Sequence, residues 1–76
     1  MNEQLLFKDL AKLLNMPVHD VNMGLNLSTH SHWDSLSIIS LIGAIDEHYG
    51  ISISGEELVK VVTVADIFTM LKQIKQ

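Results

Sequence analysis

The side chains able to do chemistry gather in His32-Trp33-Asp34-Ser35-Leu36, with His30 two residues upstream. The set holds a hydroxyl, a carboxylate and two imidazoles. A serine hydrolase needs a base, an acid that orients the base, and donors for an oxyanion. His32 and Ser35 are only local neighbours, no buried scaffold is evident around them, and the G-x-S-x-G elbow is absent. A metal site is equally poorly served. His30-Ser31-His32 offers two ligands where a structural zinc site takes four, and the chain has no cysteine. The four histidines, His19, His30, His32 and His48, are therefore read as surface residues, with no metal site. A serine at a helix start is commonly a cap. Three features favour a functional role for Ser35: a long loop delivers it, the unsatisfied N–H groups of a helix start suit a phosphate ester, and no catalytic set accompanies it. Ser35 is read as a serine that another enzyme modifies.

The elements that position this stretch follow from hydrophobic spacing. Asn2 caps a first helix over about 2–14, with Leu6, Leu10, Leu13 and Leu14 at helical intervals. Pro17 disfavours helix at the residue before it, so the helix ends near Asn15. Residues 15–33 show neither helical nor strand period. Val18, Val21, Leu25 and Leu27 are spaced through them as pins to a core, and Pro17 to Val21 has room for one helical turn. The central helix opens at Asp34 or Ser35, either of which can cap it. It buries Ile38, Leu41, Ile42, Ile45 and Tyr49, and Gly50 ends it in the left-handed conformation. Ile51 and Ile53 alternate with serines, but no partner strand exists, so an extended connector is predicted. Ser54 with Glu57 and Thr63 with Asp66 read as capping boxes. They open a short third helix to about Val61 and a last helix with Ile67, Met70, Leu71 and Ile74 on one face, ending near 73–75. The predicted fold is all-α: a four-helix bundle with one long loop and one short member, in a single domain spanning 1–76.

Composition narrows the function further. A chain of 76 residues buries only about 60% of its unfolded surface and leaves little room for a deep catalytic cleft. The absence of cysteine excludes a disulfide, a thiolate ligand and a protein thiol nucleophile. The apolar stretch from Leu36 to Ile45 is interrupted and too short to span a membrane, and no signal peptide is evident, so a cytoplasmic location is expected. Net charge is −4, and residues 34–66 alone carry −5. With five lysines and no arginine, nucleic acid is a poor partner; a basic protein surface is a good one.

Asp34-Ser35-Leu36, followed by an Ile/Leu-rich helix ending in Asp46-Glu47-His48-Tyr49-Gly50-Ile51, resembles the acyl carrier proteins. So does Glu56-Glu57-Leu58 with Val61-Val62-Thr63-Val64-Ala65-Asp66-Ile67. The resemblance covers essentially the whole chain. It implies a non-catalytic, monomeric carrier whose Ser35 takes 4′-phosphopantetheine through a phosphodiester, installed by a Mg²⁺-dependent phosphopantetheinyl transferase. The pantetheine thiol then carries an acyl group as a thioester for fatty-acid, polyketide or other specialised acyl biosynthesis. Asp34 and Leu36 are implied in recognition by the transferase and by acyl-loading and acyl-processing enzymes with basic docking surfaces, with Ser37, Ser40, Gly43, Ala44, Glu47 and Glu56 on the same partner-facing side. Ile38, Leu41, Ile42, Ile45, Ile53 and Val61 are implied as the lining of an acyl pocket, as well as core.

The sequence departs from the family at identifiable points. Members acting in fatty acid synthesis carry acids two and five residues after the serine; here those positions are Ser37 and Ser40. This points to a carrier dedicated to a separate pathway. Gly43, off the buried stripe, is read as a flat spot on the docking face, with close packing as the alternative. Trp33 stands where the family has a small residue and is read as a loop anchor, with contact to the prosthetic group or a partner as the alternative. Asp34, rather than histidine, precedes the serine and favours acyl over aminoacyl cargo. The alternatives are an aminoacyl or peptidyl carrier, and a helical interaction module that is not modified.

Overall fold

A computed structural model describes residues 2–75. Four helices form in the order α1 (Glu3–Leu14), α2 (Ser35–Tyr49), α3 (Gly55–Leu58) and α4 (Val64–Lys75), with a 3₁₀ turn at Val18–Asp20. The all-α bundle expected from the spacing is the observed fold. No extended strand forms among the described residues; one isolated antiparallel bridge joins Asn26 to Thr63. The core is aliphatic and centres on Leu6, Leu10, Leu14, Leu27, Leu41, Ile45, Leu58, Val64, Ile67 and Leu71, all sealed from solvent. Phe7 and Phe68 meet edge to face, 5.8 Å between centroids, and join α1 to α4.

Both long helices at the start of the chain end in left-handed residues. Asn15, at φ 56°, stops α1, and its N–H reaches the Ala11 and Lys12 carbonyls. Pro17 lies two residues further on, so it reinforces a stop that Asn15 makes. Gly50, at φ 66°, stops α2 as expected. The two helices are then tied by polar contacts that cross the chain. His48 Nδ1 lies 2.9 Å from Asp9 Oδ2. The Tyr49 hydroxyl donates to the Asn2 carbonyl and accepts the Leu6 N–H. Partial burial of that hydroxyl pushes its pKa up, so it stays protonated and able to donate. His48 is thus a partner of α1 and is less free than a surface histidine.

The loop of residues 15–34 is held chiefly by backbone. The Leu27 and Ser28 N–H groups donate to the Val62 carbonyl, Val64 donates to Leu25, and Ala65 donates to Met23. Leu27 and Val21 are buried pins, but Val18 is exposed and pins nothing. The connector Ile51–Ser54 is extended, with both isoleucines buried.

Helix α3 is shorter than expected. It ends at Leu58, and the i to i+3 bonds from Lys60 to Glu57 and from Val61 to Leu58 carry the chain on as tightened turns. Val59 and, beyond Lys60, the β-branched run Val61-Val62-Thr63-Val64 resist continuation of the helix. In α4 the buried face is Val64, Ile67, Phe68 and Leu71. Ile74, placed on that face by spacing, is exposed in the last turn of α4. Each presumed capping box is half formed. The Ser54 hydroxyl accepts from Glu57 N–H, while at α4 it is the Asp66 carboxylate that reaches back to the N–H groups of Val62 and Thr63.

Two glycines of α2 make opposite predictions. A Cβ built on Gly43 meets nothing within 4 Å, so close packing does not explain this residue. Gly43→Ala is expected to raise stability by about 0.5–1 kcal/mol, through helix propensity alone. Gly50→Ala is expected to lower it by about 1 kcal/mol, because φ 66° is strained for any residue with a Cβ. Urea unfolding of the two variants against the parent chain checks both signs.

Candidate functional site

Asp34, not Ser35, caps the central helix. Its carboxylate accepts the Ser37 N–H at 2.9 Å, with φ −134° and ψ −175° as a cap residue requires. Ser35 is therefore the first residue inside the helix, exposed, and its hydroxyl has no hydrogen-bond partner among the described residues. Of the two cap candidates the sequence offered, the structure uses one and leaves the other free for chemistry.

The hydrogen bond from the Ser37 N–H, helped by a weaker one from Leu36 and the nearby His32, holds the Asp34 carboxyl below the ordinary carboxylate range. Asp34 is thus anionic at neutral pH, directly beside Ser35. It also shares the positive end of α2 with any anion attached to Ser35. The field of the helix start is already partly neutralised. What suits Ser35 to carry a phosphodiester is its exposure, its free hydroxyl and the groove beside it, more than an empty anion cradle.

That groove lies between α2 and α3 and encloses about 400 Å³. Ser35 and Asp34 stand at its lip; Trp33, Ile38, Ile39, Ile42, Gly55 and Val59 line it. The lining explains which of the expected pocket residues face open space. Ile38 and Ile42 do. Leu41 and Ile45 are sealed inside the bundle, Ile53 and Val61 are buried in the core, and none of these four lines the groove. Ile39 and Val59 were not expected in the lining. Spacing placed Ile39 off the buried stripe, and it stands 64% exposed; Val59 lay inside a helix predicted too long. A Cβ on Gly55 would stand 3.8 Å from Ile42 Cδ1 and 4.0 Å from Ile38 Cγ2, at ordinary contact distance, so nothing in the packing demands glycine there.

The residues expected to face partners divide. Leu36 is 75% exposed, and Ser40, Gly43, Glu47 and Glu56 are exposed as well, with Ala44 half-buried. Ser37 does not belong with them. It is 8% exposed, and its hydroxyl donates to the His32 carbonyl at 2.6 Å. One serine thus fastens the end of the long loop to the first turn of α2, with its N–H on Asp34 and its Oγ–H on His32. The shift has a simple cause. Residue 37 faces back along the entering chain, so a carboxylate here would lose the hydrogen bond the hydroxyl donates. His30 and His32 pack with ring centroids 5.6 Å apart, and His30 Nδ1 accepts the His32 N–H. Their visible role is to shape the turn before Trp33.

Asp66, in the first turn of α4, matches Asp34. Two N–H groups, from Val62 and Thr63, hold its carboxyl below the ordinary range. Both carboxylates have folded pKa values below their unfolded ones. Their contribution is complete above the unfolded carboxylate pKa of about 3.9 and is lost as pH falls through the lower folded values. Thermal unfolding followed by circular dichroism should therefore show stability falling below about pH 4. Asp66→Asn, whose amide oxygen keeps an acceptor without a titrating charge, should flatten part of that decline.

A free, exposed hydroxyl stands at the first position of a helix, with a buttressed carboxylate before it and an apolar groove beside it. Similarity to known proteins gives the family. Residues 4–71 match the family described as "Phosphopantetheine attachment site". The chain belongs to that family: it is a non-catalytic carrier domain, and its prosthetic group is covalently attached 4′-phosphopantetheine. A protein named "Acyl carrier protein" from Rickettsia bellii (strain OSU 85-389) is 26% identical over 73 residues, 96% of this chain and 90% of the relative. The acyl carrier resemblance read from residues 34–67 is the family the comparisons support. A carrier of this kind interacts with a phosphopantetheinyl transferase and with enzymes that process its cargo. Among the described residues no helix is long and apolar enough to cross a membrane.

Proposed function

We propose that Ser35 is the attachment residue, and that residues 1–76 act as a single cytoplasmic carrier domain holding acyl intermediates as thioesters for a dedicated biosynthetic pathway. The observation that carries this is the free Ser35 hydroxyl at the lip of an apolar groove. When attached, the prosthetic group supplies the thiol that this cysteine-free chain lacks. The residues of the chain do the rest. Asp34 and Ser37 fix the helix start that presents Ser35, and the aliphatic side chains of α2 and α3 offer a dry surface to what the serine bears. The name of the Rickettsia relative and the presence of Asp34 instead of histidine before the serine both support acyl over aminoacyl cargo.

The docking face supports a dedicated pathway over a general one. Its exposed position 40 is a serine, and acids on α2 are confined to Asp46 and Glu47 near its end. Leu36 and Ile39 stand exposed between them and Ser35. Partners are enzymes whose basic surface meets Glu47 and Glu56 while an apolar contact meets Leu36. Such an interface depends less on ionic strength than a wholly ionic one. Incubation with coenzyme A and a promiscuous phosphopantetheinyl transferase tests the assignment by intact mass. One phosphopantetheine-sized increase is expected, mapped by peptide fragmentation to Ser35. Complete resistance, in protein that is also unmodified when isolated from its native host, would leave the chain as an unmodified helical interaction module.

A further inference from the structure

We propose that Trp33 is a positioning residue for the prosthetic arm, its indole forming the wall against which the first segment of the arm rests. This inference rests on Ser35 being the attachment residue. Trp33 is the only tryptophan in the chain, two residues before Ser35. A loop anchor would sink its ring into the core. Trp33 is instead half-buried: it packs against the core cluster and also lines the groove that Ser35 opens into. Its backbone is pinned independently of the ring, because its N–H donates to the His30 carbonyl at 3.1 Å and the next turn is fastened by Ser37 to His32. The backbone that carries the ring is therefore held by contacts that do not need it.

The occupant is set by continuity. Any group on the Ser35 oxygen begins its path at the lip of this groove, and the lining beyond is apolar. Phosphopantetheine presents, one methylene beyond its phosphate ester oxygen, a quaternary carbon bearing two methyl groups. That is the bulkiest apolar part of the arm, and it comes within the short reach at which a neighbouring indole face is met. Methyl groups against an aromatic face gain dispersion and lose exposed apolar area. Gly55, which presents no side chain, lines the same groove with Ile38 and Ile42. The wall at Trp33 biases the arm along that groove.

The single tryptophan makes the test direct. Apo protein is converted to the holo form with coenzyme A and a promiscuous transferase, and conversion is verified by intact mass. In the holo form the emission of Trp33 is expected to shift to shorter wavelength and its quenching by acrylamide to fall. The two geminal methyl resonances are expected to move upfield of their positions in free pantetheine, through the ring current of the indole. In holo Trp33→Ala they return to the free positions; in holo Trp33→Phe part of the shift remains. A structural role alone would move none of these methyl signals. Verified holo protein whose methyl shifts match free pantetheine and whose quenching is unchanged would overturn the role of Trp33 while leaving Ser35 as the attachment site. If Trp33→Ala does not fold, the parent chain and Trp33→Phe decide the matter through the same resonances. Failure to form holo protein at all overturns both assignments together.

Discussion

Ser35→Ala is expected to fold as the parent chain does and never to gain the mass of the prosthetic group. The pairing of these two results is what gives the variant its force. Asp34 makes the cap of α2, and the Ser35 hydroxyl has no hydrogen-bond partner among the described residues. Removing that hydroxyl costs no contact, and alanine is the best helix former available for the position. The change in stability should lie within about 0.5 kcal/mol, the range of an ordinary surface substitution. Modification, by contrast, should fall from complete to undetectable, since no other hydroxyl occupies the lip of the groove. Had Ser35 been the cap, the same substitution would cost about 1 kcal/mol and the loss of modification could be blamed on a frayed helix. Denaturant unfolding and intact mass after transferase treatment, run on the same preparation, separate these cases. Asp34→Ala serves as the contrast: it removes the true cap, so stability should fall even though the Ser35 hydroxyl remains.

The parts of this molecule legible from sequence are those encoded by local rules. Ile38, Leu41, Ile42, Ile45 and Tyr49 announce α2 by period, and Gly50 announces its end by backbone freedom. Asn2, Ser54 and Asp66 mark helix starts through short-range hydrogen bonds. What could not be read depends on contacts between distant segments. The long loop is held mainly by backbone groups donating to and accepting from residues 62–65, and backbone carries no side-chain signature. Val18 therefore looked like a pin and is not one. The half-turn geometry at the entry to α2 decided which of Asp34 and Ser35 would cap and turned Ser37 inward. The groove was legible only in part for the same reason. Its α2 wall follows from helical spacing, whereas Val59, Gly55 and Trp33 join it through the way α3 and the loop end are folded over.

Leu41→Ala should leave the chain largely unfolded at 37 °C or only marginally folded, with a much larger effect than any surface change. Leu41 is fully buried at the middle of α2, the helix against which α1 and α3 both pack. Truncating a buried leucine to alanine costs about 2–5 kcal/mol, the higher values arising where the surroundings cannot collapse into the cavity. A domain of this size has only about 4–11 kcal/mol in total, from about 0.05–0.15 kcal/mol per residue. The upper part of the cost range applies here. Leu41 itself belongs to a helix fixed at both ends, by the Asp34 cap and by left-handed Gly50, and tied laterally through His48–Asp9 and the Tyr49 hydroxyl. Such a helix cannot move inward to fill the space. Denaturant midpoints for Leu41→Ala and Ile39→Ala, one position sealed and the other 64% exposed on the same helix, provide the measurement. A large drop is expected for the first and a small one for the second. The second should instead weaken partner contact, because Ile39 lines the groove and the exposed face without supporting the core. Comparable losses from both would mean that the groove is part of the load the fold depends on, and that cargo entering it would have to compete with the packing of the bundle itself.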